Sequence, residues 1–271
     1  MVLFEKREIE MLKIYETRSD GIYVPVCYYS HSNGTRVILT GMVHVGEEHF
    51  YQRIKDVLQR CDRVIYEEPF ARNKDTMRAL DEAWSARLYD ESLDEAFIAA
   101  IFLPPPPQKF IDTHGLLDEA HYFDFSQAHW ISGDGAWGLG SADAALPMET
   151  WDQIYEKAKT IDARVKIEKV CAAKEFLQKV EAGSASMQEY ISFRNLYEEE
   201  IEKIVKQSTL VDPRDDVTFR VFDEVVCSGK ELCIGIKFGN GHVPHMDELL
   251  RNRGYILTGI AWFRVLTTVL V

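Results

Sequence analysis

A chain of 271 residues, 46% hydrophobic and 28% charged, can bury the core of one large domain or two small ones. With 31 Lys and Arg against 44 Asp and Glu its net charge is −13, and the lack of a basic footprint argues against nucleic acid or an anionic membrane as partner. The acidity reads most simply as solubility, and the five cysteines (Cys27, Cys61, Cys171, Cys227, Cys233) contain no Cys-x-x-Cys pair, which suits reduced thiols in the cytoplasm.

The opening Met1-Val2-Leu3-Phe4-Glu5 lacks a signal-peptide pattern, and no stretch reaches the roughly 20 apolar residues of a membrane span. Ile22 to Tyr29 is rich in Val and Tyr and reads as a strand. His31-Ser32-Asn33-Gly34 is turn chemistry, and Arg36 to Thr40 returns as the second strand of a hairpin. That strand runs into Gly41-Met42-Val43-His44. Phe50, Ile54, Val57 and Leu58 then mark one face of a helix, with Glu47 and Glu48 at its positive end. Arg63 to Tyr66 is a further strand, ending at Glu67-Glu68-Pro69. Strand, helix, strand makes a βαβ unit with parallel strands, so His44 and Glu67 are expected at one sheet edge. Ligands of open α/β sheets collect outside the carboxyl ends of strands.

Arg72 to about Leu103 looks helical, and Pro104 to Pro107 stops it. His114 to Gly140, rich in aromatics, Gly and His, resembles a covering loop or short strands more than a core element, so 104–148 is expected as an aromatic and Pro-rich cover. Thr150 to about Val180 reads as one helix with a Thr150-x-x-Gln153 capping box. Gly183-Ser184-Ala185 breaks it, and Ser186-x-x-Glu189 leads a second helix to about Gln207. The pair over 150–207 is expected as an inserted helical hairpin. Asp212-Pro213 opens the next helix, with Val217, Val221, Phe222 and Val225 on its buried face. Leu232 to Phe238 is a strand leading to Gly239-Asn240-Gly241-His242, Pro244 opens a helix, and a final apolar strand pair begins at Tyr255. The second half therefore repeats strand, Gly-x-x-His, helix, strand. The expected fold is a single α/β (α+β) domain over 1–271, its central mixed sheet carrying a βαβ unit at each Gly-x-x-His motif.

Two imidazoles and a carboxylate are a sufficient ligand set for a catalytic divalent ion with a position left for water. His44, His242 and Glu67 are the expected metal ligands; the bland reading of the histidines is helix capping or burial. Glycine three residues before each histidine is expected to let the chain turn sharply off the strand and to let the backbone approach the ion closely. Alternation sends Glu67 and Glu68 to opposite faces, so one of them meets His44 and the other is a base or a solvated carboxylate. His245, one turn beyond His242, is a fourth ligand, a proton shuttle or an exposed histidine. Arg72 and Arg214 could hold a substrate carboxylate or orient Glu67, and Asp134 reads as a turn aspartate. A nucleophile elbow and a P-loop lysine are both missing, which excludes a serine triad and a P-loop.

On these residues the chain resembles the TraB/PrgY/GumN and Tiki superfamily, related to erythromycin-esterase and ChaN-like proteins. Gly41-Met42-Val43-His44, Val64-Ile65-Tyr66-Glu67 with Arg72, Arg214-Asp215, and Gly239-Asn240-Gly241-His242-Val243-Pro244 carry the likeness. His114 to Asp134 is loosely similar to the family's middle region. The resemblance implies an α/β fold with a mixed sheet and metal-dependent peptide hydrolysis with manganese or cobalt; the expected substrate is a peptide or a small amide or ester, and the expected ion manganese, cobalt or zinc. Catalytic roles would fall to Glu68, His245, Arg72 and Arg214. A carrier of haem, metal or peptide in the ChaN or TraB manner is the alternative. No nucleic-acid or membrane partner is expected, and a homo-oligomer is left open. His245, Glu68-Pro69 and the lack of a following membrane anchor depart from the family pattern.

Overall fold

The computed structural model describes residues 13–68, 82, 86–89, 92–101, 106–134, 155–193, 212–230 and 232–267. In chain order the strands are β1 (Glu16–Arg18), β2 (Gly21–Ser30), β3 (Arg36–Met42), β4 (Val45–Gly46), β5 (Arg63–Tyr66), β6 (Leu117–Asp118), β7 (Trp130–Ser132), β8 (Cys233–Gly239) and β9 (Ile256–Thr267). The helices are α1 (Glu48–Leu58), α2 (Leu93–Ile101), α3 (Gln108–His114), α4 (Glu119–Tyr122), α5 (Ala163–Glu181), α6 (Asp212–Ser228) and α7 (Val243–Asn252), with a 3-10 turn over Asn240–His242. The fold is mixed α/β.

The β2–β3 hairpin forms as its turn residues dictate, and β9 runs antiparallel along the other edge of β2 from Gly21 to Ser30. Beyond β3 the sheet continues β8, β5, β7, every neighbour parallel, so these four strands end at one edge. Side chains alternate across the sheet. Val64 and Tyr66 join α1's Phe50, Tyr51, Ile54 and Leu58 in one buried cluster. Val37, Leu39, Ile65, Ile234, Ile236 and Phe238 face α6 and α7 in the other.

The two crossovers run in opposite directions. From β3 the chain passes through α1 to β5, stepping over β8; from β8 it passes through α7 to β9, stepping over β3 and β2. Crossovers of one hand that travel in opposite directions must lay their helices on opposite faces, and the two clusters record that. Between β3 and β8 the connections therefore diverge. That crevice is the topological switch point, where α/β sheets open toward a ligand.

Some expectations are corrected. Short strands do occur in the aromatic stretch, but one of them belongs to the core: β7 lies parallel to β5 at the sheet's edge, with Trp130 buried. The helix expected from Thr150 is interrupted: 155–160 is helical, Asp162 caps a new start by accepting from Arg164 N, and α5 follows. Ser186 and Glu189 do form a reciprocal capping box, and 187–193 is helical; Thr150 and the expected end at Gln207 lie outside the described residues. β9 is one 12-residue strand in place of a strand pair. Among the described residues no helix is long and apolar enough to cross a membrane.

Candidate active site at the sheet switch point

The motif glycines act by making room. Neither Gly41 nor Gly239 has a positive φ, so the expected sharp turn is not their role. Both lie within strands. A Cβ on Gly41 would stand 2.5 Å from Asn240 Oδ1, and one on Gly239 would stand 2.9 Å from Glu67 Oε2. Met42 and Gly239 face each other in the β3–β8 ladder, so the two motifs leave the sheet side by side.

Glu67 follows β5 and is buried at 8% exposure. Its Oε2 accepts from Gly239 N at 2.5 Å, and Arg214 Nη2 lies 3.0 Å from its Oε1. Burial opposes its ionisation, but His242, Arg214, His44 and the Gly239 N–H together hold its pKa down to about 2. Arg214, from the first turn of α6, also donates from Nε and Nη2 to Asp134 Oδ1 at 3.2 and 2.7 Å. Burial opposes the arginine's charge, yet Glu67 and Asp134 raise its pKa further. Asp134 is thus a buried anchor and not a turn aspartate: its Oδ2 accepts from Glu68 N at 2.6 Å, which pins the chain just past Glu67. Burial raises the Asp134 pKa despite the guanidinium beside it.

Asp215, the next residue on α6, has no exposed surface and sits between two imidazoles. His242 Nδ1 is 2.6 Å from its Oδ1 and His245 Nδ1 is 2.8 Å from its Oδ2. A carboxylate on Nδ1 fixes the ring and directs the lone pair of a neutral imidazole to Nε2. His242 Nε2 stands 3.7 Å from Glu67 Oε1, too far for a hydrogen bond. Burial opposes protonation of His242, but Asp215 and Glu67 raise its pKa.

His44 is built the same way from the opposite face. Its Nδ1 lies 3.4 Å from Glu119 Oε2, and its carbonyl accepts from Glu119 N at 2.9 Å. Glu119 opens α4 and is buried; its other oxygen pairs with Lys237 Nζ. Lys237 has no exposed surface and lies 5.3 and 5.1 Å from the ring centres of Phe123 and Phe125. Burial opposes ionisation of Glu119, but Lys237 and His44 lower its pKa. Desolvation works against a charged His44, although its side chain is 45% exposed, while Glu119 at 3.4 Å and the charges of Glu67 and Asp118 raise its pKa.

The structure therefore brings His242, Glu67, Arg214 and His245 into one network and sets His44 within electrostatic reach of Glu67. Arg72 lies outside the described residues. Asp215, Glu119 and Lys237 were not singled out from the sequence as site residues, although a lysine inside the apolar run of β8 is a visible signal. Among the described residues no three His, Cys, Asp or Glu side chains are grouped to hold a metal ion, so the expected ligand set is not closed in this arrangement. Two of its donors do suit one ion. Their 3.7 Å separation compares with roughly 3.4 Å for two donors about 2.1 Å from a tetrahedral centre. Asn240 Oδ1, beside Gly41, is buried and has no hydrogen-bond partner among the described residues, an acceptor left over at the same edge. Comparison with protein-family models, curated proteins and solved structures finds no match.

Proposed function

We propose that the chain is a hydrolase of the TraB/Tiki kind that activates water in the crevice between β3 and β8 to cleave a peptide or a small amide or ester. One observation carries the reading: Asp215 holds His242 by Nδ1 at 2.6 Å, so that Nε2 faces the ionised carboxylate of Glu67 at 3.7 Å. A buried carboxylate, an oriented imidazole and an anchored second carboxylate make a constellation suited to taking a proton from water.

His242, Glu67 and His44 would hold a divalent ion of the manganese, cobalt or zinc class. Such an ion would lower the pKa of the attacking water to about 7 and polarise the substrate carbonyl. The chain's own residues do the rest. Arg214 keeps Glu67 ionised and aimed, and Asp134 keeps Arg214 in place. Asp215 fixes the His242 tautomer, and His245, on the same carboxylate, takes the proton that water loses; Glu68 is the other candidate for that step. Glu119 holds His44 toward the crevice from the far side.

The test is metal content of the purified protein, with hydrolysis of peptide, amide and ester libraries in the presence of Mn²⁺, Co²⁺ or Zn²⁺. The proposal expects turnover that falls by about 10²-fold or more in His242→Ala. An ion bound through His242 with no turnover across all three libraries would instead favour a carrier.

A further inference from the structure

At the other end of the same strands, far along the sheet from the crevice, two cysteines meet. Cys233 opens β8 and Cys61 lies in the turn that leads α1 into β5. Their sulfurs are 3.7 Å apart, and the residues are 5% and 6% exposed. The backbones are already tied. Asp62 N donates to the Cys233 carbonyl at 2.8 Å, and Asp62 Oδ2 accepts from Leu232 N and Cys233 N at 2.9 and 2.8 Å. Gly235, two residues along β8 and on the same face, is the floor beneath the pair: a Cβ there would meet Cys61 Sγ at 3.2 Å and Leu58 Cδ2 at 2.8 Å. The sequence thus leaves space for the second sulfur where any other residue would crowd it.

We propose that Cys61 and Cys233 are a redox modification site, a buried dithiol that closes to a disulfide when it meets a hydroperoxide. A disulfide needs its sulfurs at about 2.05 Å, so each has to move by less than an ångström, within the range of a small χ1 adjustment on tethered backbones. Cys233 is the sulfur that reacts first. Its hydrogen bond with Cys61 lowers its thiol pKa against the effect of burial, the Arg36 guanidinium lowers it further, and Cys61 is pushed up in return. Arg36 is the register partner of Cys233 across the β3–β8 ladder.

The chemistry balances with one peroxide. The Cys233 thiolate attacks one peroxide oxygen, the O–O bond breaks, and the departing hydroxide takes up the proton that the thiol gave up, leaving a sulfenic acid and one water. The Cys61 sulfur then attacks Cys233 Sγ, the S–O bond breaks, and the oxygen leaves with the Cys61 proton as a second water. Two thiols are oxidised to one disulfide, and one hydrogen peroxide is reduced. The small oxidant matters, because sulfurs this deeply placed admit a molecule the size of water more readily than a bulky disulfide. The new bond would clamp together the starting ends of β5 and β8, the strands that deliver Glu67 and His242.

The experiment treats the folded, fully reduced protein with hydrogen peroxide and reads the products by intact mass and non-reducing peptide mapping. Cys171 and Cys227, both exposed, serve as internal comparators. The proposal expects a species lighter by two hydrogens, a Cys61–Cys233 linked peptide, a raised melting temperature and reversal by dithiothreitol. With dimedone as trap, Cys61→Ser should accumulate an adduct on Cys233, whereas Cys233→Ser should give none on Cys61. Oxidation confined to Cys171 and Cys227, or a 61–233 link that forms only after unfolding in urea, would overturn it. None of these readouts depends on hydrolysis.

Discussion

Lys237 shows what a single residue can reveal. An ammonium with no exposed surface in the middle of a sheet is costly to bury, and it persists only where a partner offsets that cost. Its partner Glu119 is also the carboxylate on His44, so one buried ion pair supports one candidate catalytic imidazole. Breaking such a pair from one side leaves a stranded charge, whereas replacing both members with apolar side chains of similar size does not. Lys237→Met is therefore expected to cost about 3–5 kcal/mol in urea unfolding. The double variant Lys237→Met with Glu119→Met is expected to regain most of that, since coupled neighbours are not additive. Turnover separates structure from positioning: the double variant should still lose about 10- to 100-fold, because His44 has lost the group that orients it. A stable double variant with full activity would show that the pair serves packing alone.

At the scale of the element, the motif Gly239-Asn240-Gly241-His242 contains two glycines with unequal work. A Cβ on Gly239 would press on Glu67 Oε2 at 2.9 Å, while one on Gly241 meets nothing within 4 Å among the described residues. Gly239→Ala should cost roughly 1–3 kcal/mol through the crowding it forces, and should disturb the Glu67 carboxylate. Gly241→Ala should stay within about 0.5 kcal/mol of the parent. Chemical denaturation of the two variants checks both, and equal losses would refute the steric reading. The elements themselves were legible wherever the signal was local. Apolar runs ending in Gly or Glu gave β3, β5 and β8, and the spacing of Phe50, Ile54 and Leu58 gave α1. β7 was hidden because Trp130-Ile131-Ser132 is too short to show alternation inside an aromatic stretch. The site divides on the same line. His44, Glu67 and His242 follow strands and could be placed at one edge from topology, and Arg214 could be suggested as an orienting group. Asp215 was visible only as Arg214's neighbour in the likeness, and Glu119 not at all, since which of 44 acidic residues folds back onto an imidazole is decided by helix packing across the sheet.

For the whole molecule, the two histidines reach one crevice from opposite faces because the crossovers diverge there, and each brings its own buried carboxylate. That arrangement links stability to pH in both directions. Glu67 and Glu119 have lowered pKa values in the folded chain, so their contribution is present above the ordinary carboxylate value of about 4.5 and is lost as pH falls. For Glu67 the span from about 4.5 to about 2 corresponds to roughly 3 kcal/mol, lost across that interval. Asp134, raised by burial, opposes this in part. His44 and His242 have raised values, so their contribution is complete below about 6.5 and is lost as pH climbs through the folded-state pKa. Stability should therefore peak between about pH 5 and pH 6.5 and decline on both sides. Activity should move the other way on the alkaline limb, because an imidazole that holds an ion through Nε2 has to be neutral. Unfolding free energies measured from pH 3 to 9, with Glu67→Gln and His242→Ala alongside, separate the limbs. The first variant should flatten the acid side and the second should weaken the alkaline decline. A parent curve that keeps rising to pH 8 would mean that the carboxylate–imidazole pairs do not hold the crevice together.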